Sequence, residues 1–120
     1  MPLIKIELAK GKSKDFLNSF MNITMECVQK VLNLASNYKN IRLQEYEKEN
    51  FFMKPPYQFI IEINMIKGRS QNTKKDLFKL IVNNLSDELG IKKEEILILI
   101  NEQKKENWGI RGGISATEIF

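Results

Sequence analysis

The hydrophobic and polar positions of this chain follow the same order twice, with the second copy 57 positions after the first. Segments 3–9 and 59–66 both alternate apolar with polar residues, and isoleucines stand at equivalent places in the two. The segments run into Lys10-Gly11-Lys12-Ser13 and Lys67-Gly68-Arg69-Ser70, respectively. Alternation is typical of a β-strand, and a serine after such a turn is a common helix N-cap. The pattern therefore predicts two strands that each lead into a helix.

Apolar residues then recur at three- and four-residue spacing behind each turn, which predicts an amphipathic helix. We expect the first helix to begin after Ser13 and to end at Asn33 in a left-handed cap. The second should begin near Ser70 and end before Gly90.

Further alternating or apolar segments predict strands at 41–46 and 95–102. The run 96–100 is unbroken in its apolar character, which predicts a strand buried on both faces. The glycines of segment 107–113 favour a tight hairpin, and segment 114–120 is short enough to add as an edge strand on a neighbouring subunit.

These elements predict an α/β (α+β) fold in which a βαβ unit occurs twice in tandem. The sheet should have four strands in mixed directions, with the first strand, 3–9, in its interior and two helices on one face. We expect a single domain, 1–120, made of two repeats at about 1–54 and 57–120, with the junction at Pro55-Pro56. The uncovered apolar face of such a sheet favours assembly with further copies of the same chain.

Composition narrows the chemistry that the chain can perform. The sequence has no histidine and one cysteine, Cys27, which excludes Ser-His-Asp and Cys-His catalysis and most zinc sites. We therefore expect no metal site. Neither a spanning apolar segment nor a signal peptide is present, so we expect a cytoplasmic protein without membrane contact.

The net charge of +4 suits a small anionic substrate. Nucleic acid is the less specific alternative for a basic protein. Its lysines are dispersed over both repeats without interleaved aromatic residues, and we expect no nucleic-acid partner.

Several motifs together resemble the tautomerase superfamily. They are the initial Met1-Pro2, the Gly-Arg-Ser turn at residues 68–70, and the aromatic-Gly-Ile-x-Gly-Gly hairpin at 108–113. The double length and the sequence Glu-Asn-Trp-Gly at 106–109 are most similar to the malonate semialdehyde decarboxylase-like branch. The resemblance implies a homotrimer and catalysis without a cofactor. It also implies that Met1 is removed and that the secondary amine of Pro2 is the catalytic group.

The resemblance also assigns residues to the substrate. Arg69 matches the family's arginine and implies a bidentate hold on a substrate carboxylate, and this cation would also push down the pKa of the Pro2 amine. Lys67 stands where related decarboxylases carry another arginine, and Trp108 matches an aromatic pocket wall. Those decarboxylases have an acidic residue before the second strand. Segment 36–40 has none, and Asn40 or Tyr38 lies nearest to its place.

The expected function is therefore keto-enol tautomerisation of a small 2-keto or 2-hydroxy-alkenoic acid, with Pro2 as the general base. Decarboxylation or hydration of a 3-oxo acid, with Pro2 as the general acid, is the enzymatic alternative. A trimer that only binds a small carboxylate is the alternative from another class. A retained Met1 would favour that last reading, because it turns the amine into an amide.

Overall fold

The computed structural model describes residues 2–120, and Met1, whose removal the catalytic hypothesis requires, lies outside the described residues. Two long helices, α1 and α2, pack on one face of a four-stranded sheet. The principal elements are β1 (Leu3–Ala9), α1 (Lys14–Leu32), β2 (Ile41–Tyr46), β3 (Phe59–Ile66), α2 (Gln71–Leu89) and β4 (Ile96–Gln103).

The sheet is mixed, with the strand order β2-β1-β3-β4. Strands β1 and β2 are parallel, as are β3 and β4, and each pair encloses one helix in a βαβ unit. Strands β1 and β3 are antiparallel, with Leu3 opposite Asn64 and Leu8 opposite Phe59. The predicted fold class and the interior position of β1 are confirmed.

The helix ends also follow the sequence signals. The Ser13 hydroxyl accepts a hydrogen bond from the Phe16 N–H at 3.1 Å, and Ser70 accepts one from Thr73 in the same way. At the other ends, Asn33 (φ 54°) and Gly90 (φ 69°) adopt the left-handed conformation. These caps satisfy terminal backbone groups that the helices cannot satisfy themselves. Among residues 2–120 there is no helix whose length and hydropathy would let it span a membrane.

The core lies between the helices and the sheet, and Cys27 belongs to it. Its thiol donates to the Leu80 carbonyl at 3.7 Å and accepts from Asn84 Nδ2 at 3.3 Å. Burial raises the pKa of the Cys27 thiol to about 11, although the Asn84 hydrogen bond opposes the shift. The cysteine therefore joins α1 to α2 as a neutral, unreactive thiol.

Two expectations about the second repeat are not met within the single chain. One face of strand β4 is open, since Leu97 and Leu99 are 37% and 49% exposed. It is an edge strand, and the helices cover only its other face. Segment 114–120 does not form one strand: two short strands, β5 (Gly109–Ile110) and β6 (Ile114–Ser115), pair with each other as the predicted hairpin, and a 3₁₀ turn over Ala116–Glu118 follows.

The two equivalent helix caps give a matched test of the fold. Gly90→Ala should lower the free energy of unfolding by about 1 kcal/mol, because an alanine Cβ is strained at positive φ. Asn33→Gly should change it by less than about 0.5 kcal/mol, because asparagine already tolerates that conformation. Urea unfolding monitored by circular dichroism measures both.

Gly109→Ala is the control for this pair. Its φ is not positive and no atom lies within 4 Å of the added Cβ, so no loss of stability is expected. A Gly90→Ala protein as stable as the parent would contradict the assigned cap.

Candidate active site

A cavity of about 340 Å³ opens at the end of the sheet where β1 begins and β3 ends. Pro2, which is buried, forms part of its wall. The antiparallel register explains this position: with Leu3 opposite Asn64, the residue before Leu3 lies beside Met65. Apolar side chains from three segments complete the wall: Leu32, Met65, Ile66 and Phe120.

The charged residues that line this cavity are all cations: Lys67, Arg69 and Lys105. No Asp or Glu side chain lines it within the part of the chain that the structure describes. Arg69 donates from Nη1 to the Leu32 carbonyl at a long 3.4 Å, and no described carboxylate lies within ion-pair distance of it. Most of the guanidinium N–H donors of Arg69 are therefore free to bind an anionic ligand. Unpaired cations in a cavity with apolar walls attract such a ligand.

The turn that carries Arg69 is held in place by Glu102 on β4. Its carboxylate accepts hydrogen bonds from Lys74 Nζ on α2 and from the Gly68 N–H. The bond from Lys74 is the largest cause of a lowered Glu102 pKa, and the charges of Lys74 and Lys67 act in the same direction. The Lys67 N–H also donates to the Gln103 carbonyl at 2.8 Å. Hydrogen bonds from Lys67, before Gly68, and from Lys74, after it, thus hold the β3–α2 turn against β4.

The structure brings Pro2, Lys67 and Arg69 together, as the sequence predicts, but three other predicted residues do not line the cavity. The Asn40 carbonyl accepts from the Ile4 N–H at 2.8 Å, which places it at the same end of the sheet as Pro2. Tyr38 packs against the core and its phenol is hydrogen-bonded to Asn40, while burial raises its pKa.

Trp108 is half-buried, and its indole N–H has no hydrogen-bond partner within residues 2–120. It follows the 3₁₀ turn Lys105–Asn107 and accepts, through its carbonyl, from the Ala116 N–H. The roles of Trp108, Asn40 and Tyr38 stay predictions.

The sequence alone assigns neither Lys105 nor Phe120 to the site. Lys105 belongs to a lysine pair that is typical of a solvated surface, and its equivalent 57 positions earlier, Lys48, lines the other cavity of the structure. Phe120 follows a short irregular segment, and no periodic pattern marks it.

Comparison with known proteins agrees with this architecture. A family model described as Tautomerase enzyme matches residues 38–111, more than half of the chain, and the chain therefore belongs to the tautomerase family. It is 25% identical over 121 residues to a probable tautomerase, YusQ, of Bacillus subtilis (strain 168), covering 94% of this chain and 95% of that protein. It is 34% identical over 58 residues to the 2-hydroxymuconate tautomerase of Comamonas testosteroni, covering 48% of this chain and 90% of that protein.

Solved structures show the same fold. A malonate semialdehyde decarboxylase inhibited by 3-bromopropiolate superposes with a TM-score of 0.82 at 21% identity, covering 98% of this chain and 94% of that chain. A fused 4-OT described as an asymmetric trimer gives 0.86 at 17% identity, with 98% of each chain covered. The double-length arrangement of two βαβ units is thus shared with known proteins.

The Glu102 linkage predicts a pH-dependent contribution to stability. Because the folded pKa of Glu102 is lowered, its contribution is present above its ordinary value near 4.5 and is lost as pH falls through the folded pKa. Glu102→Gln should therefore reduce stability at pH 7, by up to about 1 kcal/mol for a partly exposed pair. Thermal unfolding at pH 7 and pH 3 measures the difference, which should be smaller at the lower pH.

Glu106→Gln serves as the control, because Glu106 is exposed and has no ion pair within the described chain. It should unfold like the parent at both pH values. An equal loss for Glu102→Gln at pH 3 and pH 7 would contradict the linkage.

Proposed function

We propose that this protein is a cofactor-independent tautomerase that acts on a small 2-keto or 2-hydroxy-alkenoic acid. The observation that carries the proposal is the cavity that joins buried Pro2 to the cations Lys67, Arg69 and Lys105 without an Asp or Glu side chain among its described lining residues. Such a site favours a substrate whose carboxylate meets the cations while its reacting carbon approaches the proline.

In the proposed reaction, removal of Met1 leaves Pro2 as a secondary amine. Arg69 binds the substrate carboxylate through its planar fork, and Lys67 and Lys105 add positive charge beside it. The amine takes the proton of the enol hydroxyl, and the resulting ammonium returns a proton to the alkene carbon, so that the C=C bond is replaced by C=O. The nearby cations favour the free amine, which is the form that a base requires.

The relatives support the same class of reaction. The 2-hydroxymuconate tautomerase of Comamonas testosteroni is named for a 2-hydroxy-alkenoic substrate, and YusQ is described as a probable tautomerase. From the family resemblance we also propose that Trp108 forms an apolar wall of the site and that Asn40 or Tyr38 takes the place of the acidic residue of the decarboxylases.

We further propose that the protein assembles as a homotrimer through the sheet face that the helices leave open. That face carries partly exposed apolar side chains on three strands: Leu3, Ile60, Ile66, Leu97 and Leu99. Burying them against other copies would remove the largest uncovered apolar surface of the sheet. The fused 4-OT with the same fold is described as a trimer, which supports this assembly.

Decarboxylation or hydration of a 3-oxo acid is the second candidate, with the protonated Pro2 as the general acid. The shared fold with malonate semialdehyde decarboxylase favours it. The absence of an Asp or Glu side chain among the described cavity residues disfavours it, because an acidic side chain of that kind would orient the substrate or a water molecule. A trimer that merely binds a carboxylate would show neither reaction.

Replacing the proline tests the proposed base. Intact-mass measurement should show that Met1 is absent, and Pro2→Ala should reduce kcat/KM for ketonisation of phenylenolpyruvate by at least about 100-fold. Pro2 lies outside the helices, so we expect the variant to keep its helical content, which circular dichroism measures. Retained Met1, or an unchanged rate in the variant, would remove Pro2 from the mechanism. Turnover of malonate semialdehyde without ketonisation would select the decarboxylase.

Replacing the arginine tests substrate binding, and the repeat supplies its control. Arg69→Gln should lower kcat/KM about 10- to 100-fold, because a charge-assisted pair to the substrate carboxylate is lost. Lys12→Gln removes the equivalent cation of the first repeat and should leave the rate unchanged. Steady-state kinetics measure kcat/KM for both variants. Equal losses would mean that the net positive charge of the protein, and not the guanidinium of Arg69, attracts the substrate.

A further inference from the structure

The repeat creates a second cavity, of about 570 Å³, at the opposite end of the β1–β3 pair. Here β1 ends and β3 begins, so the residue in the place of Pro2 is Phe59, 57 positions on. Lys10, Lys12 and Lys48 line it in the places that Lys67, Arg69 and Lys105 take in the first cavity. The second cavity thus keeps the cations of the first and has a phenyl ring where the first has the proline.

Two of its lysines are available to an anion. Lys12 Nζ lies 5.1 Å from the ring centroid of Phe16 and 5.8 Å from that of Phe59, so it is held against the aromatic wall. Lys48 crosses the turn at Gly11, where a Cβ would meet its Cε at 3.8 Å. Neither amine has a carboxylate within ion-pair distance in the described chain.

The remaining charges do not cancel this pair. Lys10 is bound to the Glu47 carboxylate, which raises the pKa of the amine and keeps it charged. Glu95 is the carboxylate among the lining residues, against three lysines. The cavity lining therefore has an excess of positive charge, which is carried by Lys12 and Lys48.

Five aromatic side chains line the cavity. One of them, Phe52, is 86% exposed, so its ring is accessible to a ligand in the cavity. The other aromatic lining residues are Phe16, Phe51, Tyr57 and Phe59. The first cavity has one aromatic residue, Phe120, among its described lining.

We propose that this second cavity is a binding site for an aromatic monocarboxylate, with Lys12 and Lys48 on the carboxylate and the phenyl rings on the aromatic body. Its volume falls within the range of small-molecule sites, which is roughly 300–1,000 Å³. The site binds without catalysis, because Phe59 offers no group that can exchange a proton. This inference goes beyond the proposed function and does not depend on it.

The test uses 3-phenylpropionate as the probe and the ¹⁵N-labelled full-length protein. Gly11 and Gly90 line the second cavity and Gly68 lines the first, so their amide signals report separately on the two sites. We expect saturable shifts at Gly11 and Gly90, and much weaker binding of the neutral 3-phenylpropionamide. Lys12→Met should weaken binding about tenfold or more, because a charged contact is lost.

Two further variants make the result specific. Phe52→Ala should also weaken binding. The variant should fold like the parent, because the Phe52 ring is exposed. Lys14→Met removes an exposed lysine two residues away that does not line the cavity, and it should bind like the parent. The proposal is overturned by shifts confined to Gly68, by no saturable shift at millimolar probe, or by equal weakening in Lys12→Met and Lys14→Met. Enzymatic activity does not enter any of these readouts.

Discussion

The antiparallel pairing of β1 with β3 is the constraint on which the rest of the structure depends. It joins the two βαβ units into one sheet, and its register places the start of each strand beside the end of the other. Pro2 therefore meets the turn that carries Arg69, and Phe59 meets the turn that carries Lys12. One backbone arrangement thus creates two cavities, and the side chains alone decide what each can do.

The two cavities have diverged at positions that matter chemically. In one, Pro2 offers an amine if Met1 is removed, and a guanidinium stands where the other has the Lys12 ammonium. The planar fork of arginine suits a carboxylate that must be held in one orientation, whereas an ammonium is a mobile point charge. The helix caps and cation positions are equivalent in the two units, but the second cavity is larger and has Phe59 in the place of Pro2.

Much of the fold could be predicted from the sequence because its signals are local. Alternation located β1 and β3, Ser13 and Ser70 marked helix starts, and Asn33 and Gly90 marked helix ends. The burial of β4 could not be predicted, because an apolar run has the same pattern whether a second layer of the same chain or another copy covers it. Segment 114–120 is too short for periodicity to distinguish a strand from a turn.

The site was predictable only in part, for a different reason. Pro2, Lys67 and Arg69 lie in or next to regular elements whose pairing brings them together. Lys105 and Phe120 reach the same cavity from irregular segments, and their approach depends on tertiary packing that no local pattern encodes. The repeat pairs Lys105 with Lys48, but only the structure shows that both line cavities.

A titration of the Pro2 nitrogen by ¹⁵N NMR, in protein labelled at proline, tests the central claim most directly. The account predicts a secondary amine whose pKa lies below the ordinary α-amino value of about 8, because three cations line its cavity. It also predicts that Arg69→Gln raises that pKa. An amide nitrogen that does not titrate, or an amine whose pKa stays at the ordinary value in both proteins, would contradict it.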